Sequence, residues 1–189
     1  MLMLIAGLLL WSLVHLFPSL LPEVRTGLLK KPGEGPYKGI FALFLVGAIL
    51  LMVFGWRSIE PQPLYAAPTE GLHLITMALV AAAFILIGAA NVPTNVKRYL
   101  RHPMLTGVMV WGIAHLLANG DDRTTVLFGG LTIWAAIEMI AINRREGAWQ
   151  KPDPVPVQKD VMLVVIGLVL TAAVAYFHES LSGVQIVAL

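Results

Sequence analysis

Cysteine is missing from this 189-residue chain, which excludes disulfides, thiolate metal sites and cysteine nucleophiles. Charge is scarce as well. Asp, Glu, Lys and Arg make up 13% of the residues, against about 25% in a soluble domain. Apolar residues fill their place, at 58% of the chain with a mean hydropathy of +0.79. Such a chain cannot cover its own surface in water, and it reads as a membrane protein. Met1–Phe17 also lacks a basic leading region and a clear small-residue cleavage site, so it reads as a retained first span rather than a signal peptide.

Crossing a bilayer takes about 20 apolar residues, in a range near 17 to 25. Six segments come close: Met1–Leu21, Lys38–Trp56, Gly71–Asn91, Pro103–Asn119, Thr124–Asn143 and Asp160–Phe177. The expected fold is therefore an all-α integral membrane protein, a single domain of about six transmembrane helices over residues 1–189. Lys and Arg alternate between the connections. Arg25, Lys30, Lys31 and Lys38 lie in the first, Lys97, Arg98 and Arg101 in the third, and Arg144, Arg145, Lys151 and Lys159 in the fifth. The second holds only Arg57 and the fourth only Arg123. The positive-inside rule then puts the odd connections in the cytoplasm and both termini on the opposite side. Basic residues so arranged serve orientation in a lipid bilayer, and no nucleic-acid partner is expected. Pro32–Pro36, Pro61–Pro63 and Lys151–Pro156 read as turn-rich or extended links. No connection is long enough to be a soluble domain, so any chemistry has to lie among the helices or at their ends.

Ionisable groups inside spans are costly, and each is a functional candidate. The spans hold His15, His73, His115 and Glu138, with His102 and His178 at span edges. Trp11 precedes His15 by four residues, and Trp111 precedes His115 by four, an offset that puts each indole one turn from its imidazole on the same face. Two histidines on different helices, each beside an aromatic ring, are what bis-imidazole haem binding needs. The plain alternative is a pair of histidines hydrogen-bonding neighbouring helices. Arg101-His102-Pro103 opens the fourth span, with Pro in the first turn where its missing N–H costs nothing. That basic pair is either an anion site at a helix start or an interfacial anchor. Glu138 either pairs with a cation near the interface or faces Arg101 and His102 across the hairpin of spans four and five. Asn119-Gly120-Asp121-Asp122 reads as a C-cap followed by an N-cap. Gly107, Gly112, Gly129 and Gly130 are expected where helices pack closely.

The run Arg101-His102-Pro103-Met104-Leu105-x-Gly107, followed by Trp111-x-x-Ala114-His115-Leu116-Leu117-Ala118-Asn119-Gly120-Asp121, resembles the signature of the NnrU family. His15 followed by Arg25 is similar to that family's N-terminal pattern, and the likeness extends over most of the chain. The family comprises small bacterial inner-membrane proteins associated with denitrification, and zeta-carotene isomerase resembles it. The resemblance implies haem b held by two histidines, which match His15 and His115 by position, with Trp11 and Trp111 beside them. It also implies a redox, isomerase-like or accessory role in nitrite and nitric oxide reduction. A hydrophobic small molecule or denitrification proteins are the implied partners, and the small-residue faces would accept a homo-oligomer. Arg-His-Pro followed four residues on by Gly is similar, too, to membrane methyltransferases that bind S-adenosylmethionine, with Arg101, His102 and Glu138 as the site candidates. Those enzymes carry paired glutamates downstream, and this chain has no Glu-Glu. A cofactor-free assembly protein is the third reading.

Overall fold

The six apolar runs are all helical in the computed structural model, which describes residues 1–31, 33–65 and 70–184. Pro32, in the first turn-rich link, lies outside the described residues. The helices are α1 (Leu2–Leu20), α2 (Pro22–Lys30), α3 (Glu34–Arg57), α4 (Glu70–Ala89), α5 (Pro103–Ala118), α6 (Asp122–Thr124), α7 (Gly130–Glu146) and α8 (Val157–Ser182). A π-helical turn, Thr125–Gly129, joins α6 to α7, so that Asp122–Glu146 forms one rod of 25 residues. Four other helices, α1, α3, α4 and α8, are also long and apolar enough to cross a membrane, whereas α5 is shorter at 16 residues. Large apolar side chains such as Leu43, Leu74, Ile133 and Val169 point outward. That surface suits a lipid environment.

The helix α2 falls where the sequence pattern indicated only a connection. Its local chemistry accounts for it. Pro22 stands at the start, Glu23 in the first turn and Lys30 in the last. This arrangement fits the fixed proline φ and complements the helix dipole. None of its residues is buried, so it lies against the bundle's edge rather than in it.

Neighbour packs on neighbour in the order α3, α1, α7, α5, α4, α8. Close approach between the first two depends on glycine. A Cβ on Gly55 would lie 2.5 Å from the backbone nitrogen of Leu4, and one on Gly7 would lie 2.8 Å from the Ala48 carbonyl oxygen. Gly107, Gly112 and Gly130 meet neighbouring helices in the same way, but Gly129 meets nothing within 4 Å. It sits instead in the π-helical turn.

Polar residues lock the two ends. At the end that collects most of the basic residues, Asp160 accepts from Thr94 Oγ1, from the Asn95 backbone and, at 2.6 Å, from Asn95 Nδ2. Asn95 also exchanges two hydrogen bonds with the Val155 backbone. These bonds fasten the extended Lys151–Pro156 connector to the link between α4 and α5. At the far end, Asp121 caps α6 by accepting from the Thr124 backbone and hydroxyl, as its place after Asn-Gly leads one to expect. The segment before α4 crosses over this turn. Leu64 and Tyr65 donate backbone N–H groups to the Gly120 carbonyl, and the Tyr65 hydroxyl lies 2.5 Å from the carbonyl oxygens of Leu116 and Asn119.

The α1–α3 contact is open to a direct test. Adding one methyl in Gly55→Ala forces two backbones apart, and overpacking of this kind costs about 1–3 kcal/mol. Gly47→Ala, where a Cβ meets nothing within 4 Å, should leave stability unchanged or slightly raised. Thermal unfolding of both variants in detergent measures the difference, and equal midpoints would show that the close approach is not real.

Candidate functional site

The two span histidines share one local solution. An imidazole in apolar surroundings must place its N–H, and a carbonyl can only accept. His15 Nδ1 donates to the Trp11 carbonyl at 3.0 Å, and His115 Nδ1 donates to the Trp111 carbonyl at 2.9 Å. Each carbonyl lies one turn earlier on the same helix. The proton is thereby held at Nδ1, and Nε2 keeps its lone pair, the form in which a neutral histidine ligates a metal. The expected Trp–His neighbours are in place, with ring centres 4.2 Å apart for Trp11 and His15 and 5.0 Å apart for Trp111 and His115.

Their wider surroundings differ. His15 also meets Trp134 at 5.0 Å and Phe41 at 5.9 Å, so its ring is enclosed by α1, α7 and α3. Several polar atoms in this region are buried without a protein partner: the indole N–H groups of Trp11 and Trp134, the Tyr37 hydroxyl and one Glu138 oxygen. A cleft of about 510 Å³ opens at the basic end, walled by Pro18, Tyr37 and Phe41 and fringed by Arg25, Lys38, Arg145 and Glu146, the last two paired at 2.9 Å. His115 instead stacks face to face on Phe128, with centres 4.1 Å apart and planes 13° apart. Phe128 belongs to the π-helical turn. Thr132 stabilises that turn by donating to the Phe128 carbonyl at 2.7 Å.

Among the described residues His15 and His115 have no ring neighbour in common. The α7-side rings that hold them, Trp134 and Phe128, are six residues apart, which is about 9 Å by helix rise. The imidazole that does approach His115 belongs to His178, near the end of α8, at 6.5 Å between centres. Sequence reading placed His178 only at a span edge, and nothing in its local pattern marks a contact with α5. His73 is exposed on α4.

Arg101, His102 and Glu138 are likewise not assembled into one site. Arg101 donates to the Gly147 carbonyl at 2.7 Å and pairs with Glu146 at 3.4 Å, and His102 Nε2 donates to Asn143 Oδ1 at 2.8 Å. Together they tie the start of α5 to the end of α7. Glu138 is buried at 6% exposure and faces α1, accepting from the Ser19 hydroxyl at 3.1 Å. Ser19 in turn accepts from Arg145 at 3.0 Å, so Glu138 reaches its cation through a serine. Arg101 and His102 thus act as anchors at a helix start, and the carboxylate that meets Arg101 is Glu146 rather than Glu138.

A family model described as NnrU protein matches residues 3–186 of this chain. No curated protein and no solved structure matches it.

Ser19→Ala removes the one side chain that donates to Glu138 among the described residues. A buried polar group left unpaired costs about 1–3 kcal/mol, and more when charged, and Ser19→Ala/Glu138→Leu should recover part of that loss. Unfolding midpoints of the single and double variants measure it; an unchanged midpoint for Ser19→Ala would mean that Glu138 relies on another partner.

Proposed function

The chain belongs to the NnrU family, and from that premise we propose that it is a multi-pass membrane protein that binds haem b through two histidines, His115 being one. The observation that carries this reading is the pair of Nδ1 hydrogen bonds to backbone carbonyls, at His15 and at His115. Both prepare Nε2 as a ligand, and both rings stand among flat apolar walls of the sort that line porphyrin sites. When bound, haem supplies one-electron chemistry at its iron. The rest is the work of the chain's own residues. The carbonyls of Trp11 and Trp111 hold the tautomers, Phe128 and Trp111 keep water from the His115 ring, and α7 supplies the wall between the two nests. His15 is the partner that the family resemblance implies for His115, while the ring contacts bring a different imidazole nearer.

In this reading the chain crosses the inner membrane of a bacterium six times, with α5 as the short span. The connections rich in Lys and Arg are cytoplasmic, and both termini lie opposite. The cleft fringed by Arg25, Lys38 and Arg145 then opens toward the cytoplasm. It is the place for a hydrophobic small molecule with a polar or anionic head, which meets Arg25 and Lys38 at the mouth, beside the Arg145–Glu146 pair, and the Tyr37 and Phe41 rings inside. The biological role is redox, isomerase-like or accessory to nitrite and nitric oxide reduction.

Purified in detergent, the protein should show a Soret band, and a pyridine haemochrome assay should return about one haem b per chain. His115→Ala should lose the band or shift it to that of a weaker ligand set. A colourless wild-type protein, after expression with haem precursor, would remove haem from the account.

A further inference from the structure

The cleft at the basic end brings together side chains whose polar groups the fold leaves unmatched. Four helices meet there: Pro18 comes from α1, Arg25 from α2, Tyr37 and Phe41 from α3, and Arg145 from α7. Three cations reach the cleft, and two of them are already matched by acids. Lys38 pairs with Glu34 at 2.7 Å. Arg145 pairs with Glu146 at 2.9 Å and donates to the Ser19 hydroxyl at 3.0 Å. Arg25 has no ion pair among the described residues. The Tyr37 hydroxyl is a second unmatched group, shut off from solvent and without a hydrogen-bond partner among those residues. Its ring lies beside Phe41, with centres 6.1 Å apart, and Phe41 meets His15 at 5.9 Å. The cleft thus has a cationic mouth and an aromatic wall.

Charge and depth select what fills it. With Lys38 and Arg145 matched, the charge of Arg25 is left over, and it calls for a monoanion. The buried Tyr37 hydroxyl is a donor, and an anion with several oxygens accepts from it and from a guanidinium together. In the orientation proposed above, the mouth lies at the headgroup level of the cytoplasmic leaflet, where anionic lipids gather opposite Lys and Arg. The neighbouring α3 surface is apolar and open, with Ile40 and Phe44 both exposed. An occupant therefore has to be anionic at the mouth and hydrocarbon further in. We propose that the cleft is a selective site for one phospholipid with a monoanionic phosphodiester head, a proposal that rests on reading the cleft as an amphiphile site but not on haem. One phosphate oxygen meets the Arg25 guanidinium, another accepts from the Tyr37 hydroxyl, and an acyl chain lies along Phe41 and Phe44. A zwitterionic head is disfavoured, because its ammonium group would face the three cations. A fatty-acid carboxylate has the right charge, but it is far smaller than a cleft of about 510 Å³, which accepts a glycerophosphate.

Native mass spectrometry of the full chain released from detergent tests the site, with phosphatidylglycerol, phosphatidylcholine, oleate and inorganic phosphate each titrated in turn. The expected result is a single phosphatidylglycerol held per chain in preference to phosphatidylcholine. Its binding should be about tenfold weaker in Arg25→Gln and in Tyr37→Phe, each of which removes a hydrogen bond to a charged group. Arg25→Lys keeps the charge and should restore most of the affinity. Lys159→Gln, at the same end but outside the cleft, should bind within about twofold of wild type. Arg25 is exposed and Tyr37→Phe removes only an unpartnered hydroxyl, so both variants should unfold at the wild-type midpoint without lipid. Phosphatidylglycerol held equally by wild type, Arg25→Gln and Tyr37→Phe would overturn the proposal, the lipid then being a general coat of the bundle. Oleate binding that depends on Arg25 and Tyr37, where phosphatidylglycerol does not bind, would keep the amphiphile reading of the cleft and discard the phospholipid. Release of the bound lipid by inorganic phosphate would assign the site to a free anion instead. If no probe binds in a way that depends on either residue, the proposal and the amphiphile reading both fall.

Discussion

The site depends on one hydrogen bond, the donation from a histidine Nδ1 to the carbonyl one turn back along its own helix. In water an imidazole shares its proton between two nitrogens. Inside an apolar helix bundle it cannot, because an unpaired N–H there costs about 1–3 kcal/mol. The helix offers an acceptor in reach, and both His15 and His115 use it. The choice removes one nitrogen from further chemistry and leaves the other unprotonated and directed away from the backbone. A tryptophan at the same carbonyl is a second consequence of the four-residue spacing, since the residue that accepts the proton also sets its ring beside the imidazole.

The Asp122–Glu146 rod turns that local fact into a site. It lies between α1 and α5 and supplies an aromatic wall to each, Trp134 toward His15 and Phe128 toward His115. The π-helical turn is where the rod departs from regular geometry, and Phe128 is in it. Such turns change the direction of the residues that follow them. Here the change accompanies a division of labour. One half of the molecule has an imidazole enclosed by indole and phenyl rings, near a cleft lined by Arg25, Lys38, Arg145 and Glu146. The other has an imidazole stacked on phenylalanine and approached by a second one from α8. The ends are closed by polar contacts of ordinary kind, the Asp160–Asn95 clamp and the Tyr65 strap, which leave the apolar faces free for lipid.

Much of the fold was legible because the bilayer allows few solutions. Long apolar runs between basic connections have to be helices, and those over Met1–Leu21 through Asp160–Phe177 coincide with helices to within a few residues. The Trp-x-x-x-His repeat and the Asn-Gly-Asp caps were legible for the same reason, being local and set by helix spacing. What the sequence did not reveal depends on rotation and on distance. The direction of Glu138 turns on the register of α7, and it meets Ser19 on α1 rather than His102 on α5. The approach of His178 to His115 comes from two helices that meet at one end through the curl of the row, where Arg57 of α3 also reaches the Leu181 carbonyl on α8. The α2 helix was hidden by its polarity, since periodicity of apolar residues reports little on a helix that buries none of them.

The most direct test of the central claim is the protonation of the imidazoles themselves. Two-bond ¹⁵N–¹H correlation spectra of the histidine-labelled protein in detergent distinguish a proton at Nδ1 from one at Nε2, with His15→Ala, His115→Ala and His178→Ala providing assignments. The account predicts that the His15 and His115 rings are neutral with the proton at Nδ1 near neutral pH, and that added metal moves the Nε2 signals of the ligating pair. A proton found at Nε2 of His115 would contradict it, because that nitrogen would then have no lone pair to offer.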